Sequence, residues 1–477
     1  MKIAPPKRTQ EARPVALLRP GHRVLDVQTI DGRNVYRGAR KCSDGLAALN
    51  GHCCYVLEDL SSMRHTTGAM GWQCHLWRGR ETRMVHALTG TTVVSLRRVL
   101  NDSDDPWHDL SIVHDWLSTY GVGPGSIPSM AWGLFRASLP HEFTIGFDPE
   151  ISSLAMYGGR QQAFQTGVIT NAVSYDVQAA YPVAMASRDY ALSLSPVHIK
   201  STLDPEASGL AEATIFVPDD MPYAPLPVRL APGYISFQHG RIEGIWPWCE
   251  VAAARALGCD VRITRLWAPR RTADLFGSWW PMVAEGRALP GAAAKLAKAI
   301  ANSTWGQFGM KGEERSIRQW LDESTFYDTP EPERAMPHEW TAHVAAETTA
   351  RIRTRMLLEG LYGSCRPLHC DTDGLIIDND GSTPANIGDK PGQWSKGVEL
   401  PTVDIRGPQL YRWSCGAACG VDHAEWHYNA AGIPVDEAPA FFAASSSGFE
   451  VSWVRDFGDP RLAEVASRAR LSMVSEW

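Results

Sequence analysis

The chain has 477 residues, 44% of them hydrophobic, and a formal net charge of −7. Its length supports two or three domains with cores of their own, and the acidic sum excludes gripping a polyanion by overall charge, leaving that role to a local basic track. With no run of 18 apolar residues, no secretory signal and no lipidation motif, the expectation is a soluble, cytoplasmic protein without a membrane partner.

In chain order, the first feature is a Cys/His-rich patch of His52, Cys53, Cys54, His65, Cys74 and His75, residue types that ligate metals. The stretch 110–139 reads as an amphipathic helix followed by a Ser-initiated one. MYGGRQQAF at 156–164 places Tyr157, Gly158, Gly159 and Arg160 in a turn ahead of a strand. AVSYDVQ then reads as a strand with Asp176 at its end, followed by the helix-compatible AAYPVAMAS, where Tyr181 by pattern alone is a core residue. An apolar-periodic helix at 244–258 carries Glu250 and reads as structural. Arginines cluster at 262, 265, 270 and 271 and again at 351, 353 and 355, either as solvated faces or as a basic track. KLAKAIANSTWGQFG at 295–309 puts Lys298, Asn302 and Trp305 at i, i+4 and i+7 on one helical face; on pattern alone this is also an ordinary half-solvated helix. In HCDTDGLII at 369–377, short β-prone runs bracket a hairpin whose Asp371 and Asp373, two apart, are expected on one face. An isolated Asp-Thr-Asp-Gly is also an ordinary turn.

The ten cysteines are expected as reduced thiols. Cys415, Cys419, His423 and His427 recur every four residues and offer a possible structural Zn²⁺ site. That ladder drifts round a continuous helix, so zinc would require a turn at Gly420; uncoordinated Cys and His are the commoner case.

The stretches 174–185, 295–309 and 369–377 resemble, in order and interval, motifs A, B and C of family B DNA polymerases, most closely the protein-primed, phage-type branch. The resemblance implies a right-hand polymerase of mixed α/β and α+β type, with an antiparallel palm sheet, helical fingers and a small thumb. A shortened, inactive exonuclease-like (ribonuclease H-like) domain would precede it, with an unrelated α/β scaffold as the alternative for that third of the chain. The expected limits are 1–153 for that domain, 154–400 for palm and fingers, and 401–477 for the thumb-like region. The implied activity is template-directed addition of dNTPs to a 3′-hydroxyl, with DNA template and primer as partners and a terminal protein as a possible primer.

Two Mg²⁺ or Mn²⁺ ions would sit on Asp176 and Asp373, supported by Asp371, since hard oxygen ligands suit these ions. Lys298 and, more distantly, Arg287 would meet the triphosphate. Asn302, Trp305 and Gly306 would border the nascent base pair, and Tyr181 would lie under the sugar. Tyr157, Gly158, Gly159 and Arg160 would contact template backbone, and Tyr411, from a "KxY" element whose lysine is Gln409, would steady the primer.

Several positions depart from the family pattern: Gln178, Ala179 and Ala180 in motif A, Trp305 for a tyrosine, and His369 and Gly374 flanking the acids. None of these removes an aspartate. Near the amino terminus the family's exonuclease "DxE" is missing; the string Asp148-Pro149-Glu150 comes too late. A primase-like or template-independent transferase, and a non-catalytic replisome scaffold on the same fold, stay open at this level.

Overall fold

The computed structural model describes residues 2–3, 15–21, 24–29, 53–57, 60, 72–77, 80–86, 92–100, 102–197, 207–231, 234–309, 315–320, 326–330, 341–414, 426–430, 438–439 and 442. The chain divides into two units, 1–146 with 274–341, and 147–273 with 342–477. Among the described residues no helix is long and apolar enough to cross a membrane.

The first unit holds a mixed eight-stranded sheet. Its order is Phe326–Pro330, Arg315–Trp320, Trp72–Trp77, Arg80–His86, Thr92–Ser95, Cys53–Val56, Val15–Gly21, Val24–Thr29. The 110–139 stretch forms helices Pro106–Thr119 and Ile127–Ser138, the second N-capped by Ser126, whose hydroxyl accepts from the Ser129 amide at 3.3 Å. Helix Gly291–Phe308 packs on both, burying Leu296, Ile300, Thr304 and Phe308 at helical spacing. Phe308 meets Phe135 edge-on at 5.2 Å and Phe276 at 5.6 Å, an aromatic core that fixes the helix from below.

The second unit is built on a seven-stranded sheet. Its strands in chain order are β1 (Gln161–Ala163), β2 (Gly167–Val177), β3 (Pro367–Asp371), β4 (Gly374–Asp378), β5 (Trp394–Gly407), β6 (Leu410–Ser414) and β7 (His427–Ala430). They lie in the order β7-β6-β5-β2-β4-β3-β1, and all neighbours are antiparallel. A four-stranded antiparallel sheet, in the order Tyr190–Val197, Asp260–Ala273, Leu210–Val217, Gly240–Pro247, occupies the segment after the first acidic strand. Helices Trp248–Ala256 and Ala342–Arg355 pack against each other in this unit, and the second continues into a π-helical turn, Met356–Leu361.

Asp148 is a helix cap: its carboxylate accepts from the Glu150 amide at 2.9 Å to start Pro149–Leu154, which explains an Asp-Pro-Glu string outside any exonuclease site. The arginines of 351–355 form neither a solvated face nor a basic track, because each has an acidic partner. Arg351 meets Glu347 at 3.5 Å, Arg353 meets Glu250 at 2.7 Å in a fully buried pair, and Arg355 meets Glu359 at 3.4 Å. Arg262 and Arg265 also have partners, Asp260 and Glu212, but like Arg270 and Arg271 they are exposed and form a solvated face. For the zinc ladder, His427 begins β7 and stacks on Trp413 at 5.4 Å, so no continuous helix reaches it; Cys415, Cys419 and His423 lie outside the described residues, as do His52 and His65.

Candidate active site

The site grows from the pleat of β2. Val173, Tyr175 and Val177 are buried in one core, so the alternation turns Asp176 to the other face, where it is exposed. Asp176 sits opposite Gly374 in the β2–β4 register, and the Val177 amide donates to the Asp373 carbonyl at 2.9 Å. The two acids of motifs A and C are thereby brought side by side on adjacent strand ends. Ala179, in the left-handed region at φ 54°, turns the chain out of β2 into helix Ala180–Ala186, whose first turn carries half-buried Tyr181.

The hairpin differs from the sequence expectation. Its loop is two residues, Thr372 and Asp373, between Asp371 at the end of β3 and Gly374 at the start of β4. Thr372 has φ +60°, so the extended geometry that would put Asp371 and Asp373 on one face is broken between them. Asp371 is engaged separately: Gln161 donates to its Oδ1 at 3.0 Å, and the Gln409 amide donates to Oδ1 at 3.2 Å and Oδ2 at 3.1 Å. Neither glutamine role is legible in the chain, because the partners come from β1 and from the β5–β6 turn.

No group of three or more His, Cys, Asp or Glu side chains close enough to hold a metal ion occurs among the described residues. The donor type nevertheless suits hard divalent cations: Asp176 and Asp373 both offer carboxylate oxygens from neighbouring stretches of backbone, and Asp176 Oδ1 lies 3.7 Å from where a Cβ on Gly374 would sit. A cavity of about 240 Å³ adjoins Asp373, and Arg188, Arg351 and Arg355 are among its lining residues.

The YGGR block is not the solvent-facing clamp expected of it. Arg160 is buried, with its guanidinium donating to Gln162 Oε1 at 2.7 Å and the Ala224 carbonyl at 3.0 Å and lying 4.1 Å over the Phe237 ring. Burial lowers its pKa to about 10. Tyr157 is buried too, and desolvation pushes its phenol up to about 12. These two side chains hold the segment from within, while Gly158 stays exposed. Tyr411 is half-buried on β6, 4.7 Å from the His369 ring; burial raises its pKa and lowers that of His369 to about 4.

Motif B belongs to the first unit. Lys298 and Asn302 are exposed and Trp305 is half-exposed, opposite the buried Leu296–Ile300–Thr304 stripe. An added Cβ on Gly306 would meet open space. Arg287, at the end of helix Trp279–Arg287, is half-buried, and desolvation lowers its pKa.

The fold of the chain is one seen in solved DNA polymerases. It is similar in structure to phi29 DNA polymerase, with a TM-score of 0.68 at 13% identity over 91% of this chain and 95% of that one. A second phi29 structure, a ternary complex with primer-template DNA and incoming nucleotide, gives 0.67 at 13% identity over 91% and 94%. In sequence, 303 residues are 27% identical to the DNA-directed DNA polymerase of Enterobacteria phage PRD1. That match covers 57% of this chain and 52% of the PRD1 protein, so it spans about half the length of the curated relative. No protein-family model matches the chain.

Proposed function

We propose that this chain is a DNA-directed DNA polymerase, adding dNTPs to a primer 3′-hydroxyl on a DNA template in phage or mobile-element replication. The observation that carries the reading is the juxtaposition of Asp176 and Asp373 on adjacent strand ends. Two divalent metals, Mg²⁺ or Mn²⁺, held there would supply activation of the hydroxyl and stabilisation of the leaving pyrophosphate. In this reading Asp176 and Asp373 bind the metals and Asp371 supports the hairpin that presents Asp373. Lys298 and Arg287 neutralise triphosphate charge; Asn302, Trp305 and Gly306 border the base pair; Tyr181 floors the sugar; and Tyr411 steadies the primer end. Gly158 is the part of the YGGR block left to meet template backbone.

The partners follow from the same relatives: phi29 polymerase structures contain primer-template DNA, incoming nucleotide or single-stranded DNA. Priming by a terminal protein and a cytoplasmic setting belong to the same proposal and rest on the overall resemblance.

The test is extension of a labelled primer with Mg²⁺ and dNTPs, comparing the wild type with Asp373→Asn. Template-dependent extension lost in the variant supports the reading. Incorporation without template moves the assignment to a template-independent transferase, and no incorporation at any Mg²⁺ or Mn²⁺ concentration, with or without a primer, moves it to a scaffold.

A further inference from the structure

The catalytic hairpin meets the YGGR block at a close approach on Gly159. A Cβ on Gly159 would lie 2.4 Å from Thr372 Oγ1, 2.7 Å from its Cγ2 and 2.9 Å from its Cβ, so only glycine fits there. One residue on, the Arg160 carbonyl accepts the Thr372 amide at 2.7 Å. Thr372 is β-branched and has φ +60°, a strained conformation for such a residue that persists only where its surroundings impose it. Its hydroxyl donates to Asp371 Oδ1 at 3.2 Å, and the next residue is Asp373.

Behind the block stands a rigid support. Arg353 donates from Nη1 to the carbonyls of Tyr157 at 2.8 Å and Gly158 at 2.6 Å, while its Nε and Nη2 form a fork on buried Glu250 at 2.7 and 2.8 Å. Arg160 anchors the segment's other end by its side chain. Gly159, which faces Thr372, therefore lies between two anchored residues.

We infer that Gly159 and Thr372 are a positioning pair, through which the segment fixed by Glu250 and Arg353 holds the hairpin loop and sets Asp373 against Asp176. This rests on the polymerase reading for its consequence, but not for the contact itself. The block's glycine thus acts on the chemical step, in addition to any contact of Gly158 with template.

The test compares full-length wild type with Gly159→Ala, Thr372→Gly and the double variant. Thr372→Gly removes all three clashing atoms and is at ease at positive φ. Single-turnover incorporation is expected to fall on the order of 10²-fold in Gly159→Ala, the scale of a displacement near 1 Å. Primer–template Kd, measured without metal, should stay near the wild-type value, and the double variant should recover the rate of Thr372→Gly alone. A double variant as slow as Gly159→Ala, or a Gly159→Ala defect confined to Kd, would overturn the inference. If the wild type incorporates nothing, the polymerase reading fails by itself, and melting still reads the pair: Gly159→Ala should lower Tm and the double variant restore it, and a Tm that is not restored overturns the pairing.

Discussion

The Gln409 side-chain amide reaches both carboxylate oxygens of Asp371, at 3.2 and 3.1 Å, from a turn where Gln409 itself has φ +54°. Gln409 therefore points inward to an acid of the hairpin. A neutral amide fixes the carboxylate without cancelling its charge. Gln409→Ala is expected to cost about 1.5–3 kcal/mol, the worth of hydrogen bonds to a charged group, read from a urea transition. Gln409→Lys should keep the contact but reduce the local negative charge, raising the Mg²⁺ concentration for half-maximal extension; an unchanged Mg²⁺ titration would argue against this account.

Glu250→Gln should be severe because the Glu250–Arg353 pair is buried. It leaves Arg353 charged, buried and without its counter-ion, a situation that costs about 3–5 kcal/mol. The urea midpoint is the measurement, and the same variant should slow extension because Arg353 also carries the Tyr157 and Gly158 carbonyls.

Gly374 is the opposite case from Gly159. A Cβ there meets Asp371 O at 3.5 Å and Asp176 Oδ1 at 3.7 Å, ordinary contact distances. Gly374→Ser should stay within about 0.5 kcal/mol of the wild type, as for surface changes that disturb nothing, and should retain extension activity.

Lys298 is exposed and has no ion-pair partner among the described residues. Lys298→Ala should leave stability within about 0.5 kcal/mol while lowering kcat/KM for dNTPs by about 10²–10³, the scale for removing one group that meets developing charge. Steady-state kinetics at fixed primer–template check it.

Acid should destabilise the fold. His343 is buried with Nε2 2.9 Å from the Ala191 carbonyl, and burial lowers its pKa from 6.5 to about 4. The folded state keeps it neutral while the unfolded chain takes up a proton, so its contribution is whole above pH 6.5 and is lost as pH falls toward 4. The amount is about 3 kcal/mol from 1.36 per pKa unit. His114 and His369 act in the same direction, each also lowered to about 4 by burial. Glu347 opposes them: burial raises it to about 7, which costs stability above 4.5 and is relieved as pH falls. Three histidines against one glutamate give a net loss between pH 6.5 and 4.5. Thermal melts of His343→Gln across that range should show a shallower decline than the wild type.

The sequence made local features legible: the strand ending at Asp176, the hairpin of 369–377, and the amphipathic helix that exposes Lys298 and Asn302. Each is written in a period of 2 or 3.6 residues within a short window. What it hid are relationships over long separations. Arg353 looks like a surface cation until Glu250, 103 residues earlier, is packed beside it. Arg160 looks like a phosphate ligand until the Ala224 carbonyl and Phe237 close over it. The i, i+2 reading of Asp371 and Asp373 failed on one dihedral, at Thr372, which no alternation pattern encodes.

The first unit is completed by 274–341, which includes the helix that packs on Ile127–Ser138 and sets Phe308 against Phe135. During synthesis it cannot close until residue 341 has left the ribosome, after 127 residues of its companion have already emerged (273 − 147 + 1). A truncation beginning at 147 would consequently not yield a minimal enzyme; it would strip the apolar bed from under the motif B helix and leave that helix without a core.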